Sequence, residues 1–245
     1  MKRFTGVRYL IREPRTSREG IRDYPTYTIP EAALILAMPP RTLQSWVYDR
    51  PIFTVAGSRD ESQKLLSFKD LAQFYFLKFV RRHARLSDGQ ARKLLQYAKE
   101  VSGSAYPLLH EDIRVARDHV LWAHISKNSG EKVVLELLRP RGQYILHDFV
   151  NMFATRVDRD ARGVMMRLYP WRLWKYGDKR RPVSVDPNIM SGKLVLTGTR
   201  IPALAVAARR KQGESVKDIA GDYDVPQRLI KESLRHLKLV LPKAA

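Results

Sequence analysis

The sequence predicts a mainly helical protein with small β elements. Three observations lead there. Two short apolar-faced helical patterns lie on either side of a proline break near the N-terminus. Longer helical patterns follow to about residue 101, and three more close the chain. Between them the β-like runs are short and bounded by turn residues.

The 245 residues suffice for two or more small domains, and 44% hydrophobic content is enough to bury real cores. No apolar run approaches the roughly 20 residues that span a bilayer, and residues 1–23 are too charged for a secretory leader. No membrane association is expected, and a cytoplasmic location is. There is no cysteine, which removes disulfides, thiolate nucleophiles and cysteine zinc sites.

Charge is the dominant number. The net is +20, and the excess is spread along the chain: Lys and Arg outnumber acids 7 to 3 in residues 1–26, 12 to 7 in 27–100, 15 to 9 in 101–181 and 11 to 6 in 182–245. Folded segments that are all basic favour a polyanionic partner, because each phosphate contact releases counterions. An acidic protein partner suits the same charge.

Residues 1–26 read as a basic arm. Its Arg8, Arg12, Arg15, Arg18 and Arg22 either reach phosphates or are solvated. Residues 27–101 read as a winged helix-turn-helix. Thr28 and Glu31 form a capping box, Pro30 sits in the first turn, and Ile29, Ala32, Ala33 and Leu36 share one face. Pro40 opens a second helix with Leu43, Trp46 and Val47 inward. Its outer face is Arg41, Thr42, Gln44 and Ser45. Such a face can read base edges: Arg41 pairs with guanine or phosphate, Gln44 with adenine, Thr42 and Ser45 with either. An ordinary helical hairpin with a solvated face is the alternative.

A hairpin is expected next, with Ile52–Val55 as its first strand, Ala56–Asp60 as its turn and Lys64–Leu66 returning. It makes a wing whose Arg50, Arg59 and Lys64 are candidate phosphate clamps. Ser67 and Asp70 cap a long helix carrying Leu71, Phe74, Phe76, Leu77 and Val80, which ends in the basic run Lys78, Arg81, Arg82, His83 and Arg85. A further helix is expected from Ser87 to Val101.

These residues resemble the MerR-like winged helix-turn-helix family. The matching strings are Tyr-Thr-Ile-Pro-Glu-Ala-Ala at 27–33, Pro-Pro-Arg-Thr-Leu-Gln-Ser-Trp at 39–46 and Leu-Ser-Phe-Lys-Asp-Leu at 66–71. The resemblance implies DNA reading by the second helix and phosphate contacts from the wing. The long dimerising helix and effector pocket of full-length members are not evident.

Residues 102–181 read as a mixed α/β linker or dimerisation region. Strands are expected at His119–Ile125 and Lys132–Leu138 around an Asn128-Ser129-Gly130 turn, a helix at Gln143–Phe153 and a strand at Arg162–Leu168. His119 and His124 match no metal-ligand spacing with the nearby acids, so no metal is expected.

Residues 182–245 read as a three-helix, helix-turn-helix-like domain with short strands. Val183 and Val185 alternate with polar residues, Asp186–Gly192 is turn-like and Leu194–Leu196 is strand-like. Gly198 offers a positive φ. Pro202 starts a helix ending near Gly213, Ser215 caps the next, and Pro226 opens the last, with Leu229, Ile230, Leu234 and Leu237 inward.

The run Asp186-Pro187-Asn188-Ile189, then Gly192, then Gly198-Thr199-Arg200-Ile201-Pro202 and later Gly213-Glu214-Ser215 closely resembles a small bacterial domain. That domain occurs in type II antitoxins, especially the VapB type paired with PIN-type ribonuclease toxins. Lys193-Leu194-Val195 departs from the family, which usually has Pro and Ile there. The resemblance implies an antitoxin that restrains such a toxin and autorepresses its operon on double-stranded operator DNA. A homodimer or higher homo-oligomer is expected, since operators are usually palindromic. Arg200, Arg209, Arg210 and Lys211 are its candidate toxin-binding residues. For Arg200 the favoured role is structural, pairing with Asp186 or Asp218 to pin the turn to the helices, since such short signatures usually fix backbone shape first. The competing reading is a stand-alone transcriptional regulator without a toxin. An enzyme is not expected, and neither is any catalytic residue or cofactor: there is no nucleophile–base pair, no Gly-rich phosphate loop and no ordered acidic triad.

Overall fold

The computed structural model describes residues 20–55, 57–60, 63–83, 87–102, 105–106, 109, 113–116, 119–125, 132–138, 155–161, 165–170 and 180–238. The architecture is mainly helical with short antiparallel strands.

The capping box forms. The Thr28 amide donates to the Glu31 carboxylate at 3.0 Å and the Thr28 hydroxyl accepts from the Glu31 amide, starting helix α1, Ile29–Leu36. Ala37 ends it at φ 49, in the left-handed region. Helix α2 spans Pro40–Gln44 and widens into a π turn over Ser45–Asp49, closed by the Arg50 amide donating to the Ser45 carbonyl at 2.8 Å. Leu43, Trp46 and Val47 are buried, as their spacing predicts.

The hairpin is present but displaced. Strand β1 is Gly57–Asp60 and pairs antiparallel with β2, Gln63–Leu65, with a bulge at Arg59. The expected first strand, Ile52–Val55, is not one, and part of the expected turn is. The apolar residues serve the core instead: Ile52 is buried and the Phe53 ring lies 4.4 Å from Phe74.

Ser67 and Asp70 cap helix α3, Phe68–His83, through reciprocal hydrogen bonds of 2.8–3.1 Å. Leu71, Phe74, Phe76 and Leu77 are buried. Helix α4 covers Asp88–Ser102, capped by Ser87 and Gln90.

Strands β3 (Ile113–Ala116), β4 (His119–Ile125) and β5 (Lys132–Leu138) form an antiparallel sheet in that order. The sequence predicts the last two; β3 escaped it. The Asn128–Gly130 turn, the Gln143–Phe153 helix, the Val80 side chain and the side chains of His119 and His124 lie outside the described residues. So do Arg8, Arg12, Arg15 and Arg18, whereas Arg22, expected on phosphates or in solvent, is buried.

Strands β6 (Val157–Arg159) and β7 (Met165–Leu168) form a hairpin. Leu168 bridges Val185, which continues strand β8 (Val183–Ser184), itself paired with β9 (Val195–Leu196). Helices α5 (Ala203–Lys211), α6 (Val216–Asp222) and α7 (Gln227–Lys238) complete the described chain. Ile230, Leu234 and Leu237 of α7 are buried, whereas Leu229 is half-buried. One buried apolar cluster runs from Tyr27, Leu36 and Phe68 through Leu168 and Val185 to Val206, Ile219 and Leu237.

Candidate nucleic-acid and partner interfaces

The candidate recognition face is built by burial of its opposite side. Leu43, Trp46 and Val47 anchor the second helix, with Trp46 stacked on Phe74 at 6.1 Å. Arg41 and Gln44 are left exposed, and Thr42 and Ser45 half-buried beside them. The helix pair is held from behind by two cations of the basic run that the sequence shows at the end of α3. The Lys78 ammonium donates to the Leu36 and Ala37 carbonyls at 2.6 and 3.0 Å. It closes the C-terminus of α1, where orphan acceptors and the helix dipole favour a cation. Arg81 pairs with Asp88 at 2.8 Å and lies over the Trp46 ring at 5.2 Å. The cue for Lys78 was available: a cation one helical turn from Phe74, on the face that packs against α1.

Of the expected phosphate clamps, Arg50 is exposed. Lys64 is half-buried and turned inward. Its ammonium donates to the Val47 carbonyl at 3.3 Å and sits 5.1 Å above the Tyr48 ring, while its amide donates to the Tyr48 hydroxyl at 2.7 Å. Lys64 thus ties the wing to the end of the second helix. Arg59 occupies the bulge of β1, and its side chain lies outside the described residues.

At the other end each residue of the signature has a structural task. Asp186 is buried; it accepts from Arg167 at 3.0 Å and from the Asn188 amide at 2.9 Å, closing the Asp-Pro turn. Gly192 has φ +78 and abuts the Tyr27 ring, where a Cβ would overlap the hydroxyl. Gly198 takes φ +81, as its place in the run predicts. The Thr199 hydroxyl donates to the Leu196 carbonyl and accepts from the Ile201 amide. Pro202 bridges Val195 and stands at the start of α5.

Arg200 is the exception. Its side chain is exposed and pairs with neither Asp186 nor Asp218: Arg167 holds the first, and the second takes the Ser215 hydroxyl at 2.6 Å. The pinning role that the sequence allowed Arg200 belongs to Arg167. Arg209 forks onto Glu214 and Asp222 and lies 5.1 Å over the Tyr223 ring. The hydrogen bonds it donates to Glu214 and Asp222 raise its pKa, and Arg209 holds the Glu214 carboxyl below its usual range. Arg210 donates to the Glu214 carbonyl at 2.8 Å. Both arginines therefore lock α5 to the turn before α6. Lys211 is exposed.

No helix among the described residues is long and apolar enough to cross a membrane. Among them there is also no group of three or more metal-ligating side chains.

The fold class is that of a basic, mainly helical protein carrying a two-helix hairpin with a β wing at one end and a compact three-helix module at the other. Residues 183–236 match the protein-family model described as "Protein of unknown function (DUF433)". Over 231 residues the chain is 27% identical to the Mycobacterium tuberculosis protein named "Putative antitoxin VapB45", covering 86% of this chain and 93% of that one. It also superposes on the crystal structure of Rv2018 from the same organism with a TM-score of 0.51. That match has 22% identity and covers 86% of this chain and 98% of the other, and the likeness is one of fold.

Proposed function

We propose that this protein is the antitoxin of a type II toxin–antitoxin module: it restrains a PIN-type ribonuclease toxin and binds operator DNA to repress its own operon. The observation that carries the reading is the similarity to an antitoxin-named relative across most of both chains, rather than within the signature alone. A net charge of +20 supports two polyanionic partners, the operator and an acidic toxin surface.

In this reading Arg41 and Gln44 read bases, with Thr42 and Ser45 beside them and Arg50 and Arg59 on the phosphates. Lys64 holds the wing in place. Of the four candidate toxin-binding cations, Arg200 and Lys211 face the toxin, while Arg209 and Arg210 shape the surface that presents them. As a homodimer the protein places two reading helices on a palindromic operator. Its role is regulatory, not enzymatic.

The test is co-expression with the product of the adjacent gene. The antitoxin reading expects that product to arrest growth alone, to be tolerated with this protein, and to co-purify with it. If no neighbour co-purifies and no toxicity is rescued while operator binding persists, the protein is a stand-alone regulator.

A further inference from the structure

The walls of one groove, of about 730 Å³, come from both ends of the chain. One wall is the segment before α1, with Ile21 and Tyr24. The other is the Asp-Pro turn and its continuation, with Met190, Lys193 and Arg200. Among the described residues three large hydrophobic side chains are exposed, and two of them, Ile21 and Tyr24, at 40% each, line this groove. The two cations on the opposite wall are exposed. No acidic side chain among the described residues lines the groove.

We infer that this groove docks an acidic segment of a partner protein, with an aliphatic or aromatic side chain of the partner set between Ile21 and Tyr24 and its carboxylates against Lys193 and Arg200. The inference rests on the antitoxin reading and names the surface that reading leaves open.

Charge decides the occupant. Residues 1–19 carry six Lys and Arg against two acids, and residues 239–245 carry one Lys and no acid. A second copy of the chain is equally basic. Each would bring positive charge to Lys193 and Arg200. Double-stranded DNA satisfies the cations but has no use for the apolar wall, which its hydrated backbone would leave uncovered. A mixed apolar and acidic peptide satisfies both walls. Apolar anchors ringed by complementary charge are the common arrangement of protein–protein hot spots.

Lys193 and Arg200 are the two cationic side chains of the groove wall, so each supplies half of its charge.

The experiment measures binding of the full-length protein to the purified product of the adjacent gene, and in parallel to its own operator DNA. The variants are Lys193→Glu, Arg200→Glu, Ile21→Ser and, as a control outside the groove, Lys217→Glu on α6. Melting midpoints are recorded for all four. The two groove charge reversals are expected to weaken the protein complex at least about tenfold each, and Ile21→Ser to weaken it comparably. The control and the affinity for operator DNA stay within about threefold of the parent. Should Ile21→Ser fail to fold, the exposed lysine and arginine variants still decide the matter. A parent complex that forms and survives the groove reversals overturns the groove and leaves the antitoxin reading standing. No complex with the parent protein overturns both. Groove variants that lose the operator and keep the protein make this a nucleic-acid surface and overturn the inference.

Discussion

The phenol end of Tyr27 abuts Gly192, so that the segment leading into α1 and the C-terminal signature are in van der Waals contact. A Cβ at position 192 would overlap the Tyr27 hydroxyl and stand 3.0 Å from the ring carbon that bears it. The backbone there is left-handed, at φ +78. Gly192→Ala is therefore expected to destabilise the protein by about 2–4 kcal/mol, combining overpacking with left-handed strain. In a denaturant melt, the double variant with Tyr27→Ala should cost less than the two single changes added together, because the shared clash is gone. Strict additivity would show that the contact carries no energy.

Base reading is tested at the second helix. Arg41→Ala and Gln44→Ala should each cost about 1–3 kcal/mol of operator preference and leave the melting midpoint unchanged, since both side chains are exposed. Arg50→Ala should weaken binding to every sequence alike and flatten its salt dependence. Lys64→Ala should behave differently from a phosphate contact: its ammonium is engaged with the Val47 carbonyl, so loss of stability accompanies any loss of affinity. Electrophoretic mobility shifts at two or more salt concentrations, beside thermal melts, separate these outcomes.

The turn between α1 and α2 invites substitutions of opposite sign. Ala37 occupies the left-handed region at φ 49, so Ala37→Gly should stabilise by about 1 kcal/mol. Lys78→Met leaves the Leu36 and Ala37 carbonyls without their donor and should cost about 1–3 kcal/mol. If Lys78→Met is neutral in a chemical melt, the cation is not closing that helix.

Arg209 and Arg200 should separate cleanly. Arg209→Ala breaks the links to Glu214 and Asp222 and should lower the melting midpoint. Arg200→Ala should leave it in place while reducing affinity for the toxin. The reverse pattern would exchange their roles.

Alkaline stability is expected to depend most on the two phenols whose pKa is raised furthest. Burial and the neighbouring Asp186 and Glu31 charges raise the Tyr27 pKa, and burial and Asp70 raise that of Tyr106. Each phenol is kept neutral in the folded protein, while the unfolded chain ionises it near pH 10. Their contribution is complete below that pH and is lost as pH rises beyond it, toward the folded values. Tyr27→Phe should give a shallower fall in stability above about pH 10. An unchanged alkaline limb in urea titrations would count against the buried phenol.

Much of this was legible because it is local. Thr28 with Glu31, Ser67 with Asp70 and Ser215 with Asp218 announce helix starts by a spacing of three, and each cap forms. Gly198 was readable from the turn it occupies. What failed was whatever depended on partners distant in sequence. Ile52 and Phe53 look like a strand by composition, but Phe74 claims them for the core. Lys78 reads as one cation of a basic run until α1 is placed beside α3. The contest for Asp186 goes to Arg167, 19 residues upstream, and not to Arg200 in the same signature. The interface cations could be shortlisted by type; which of them stay exposed is decided by the three-dimensional packing.

The apolar cluster shared by the two ends has a bearing on how the protein comes apart. Tyr27, Phe68 and Leu168 are sealed in the same continuous interior as Val185, Ile219 and Leu237. Unravelling the last helix would strip the packing from α5, α6 and β9, and through the shared interior it would loosen the end that holds Tyr27. In the proposed reading, one proteolytic cut that frees that helix would therefore weaken the hold on promoter and partner together.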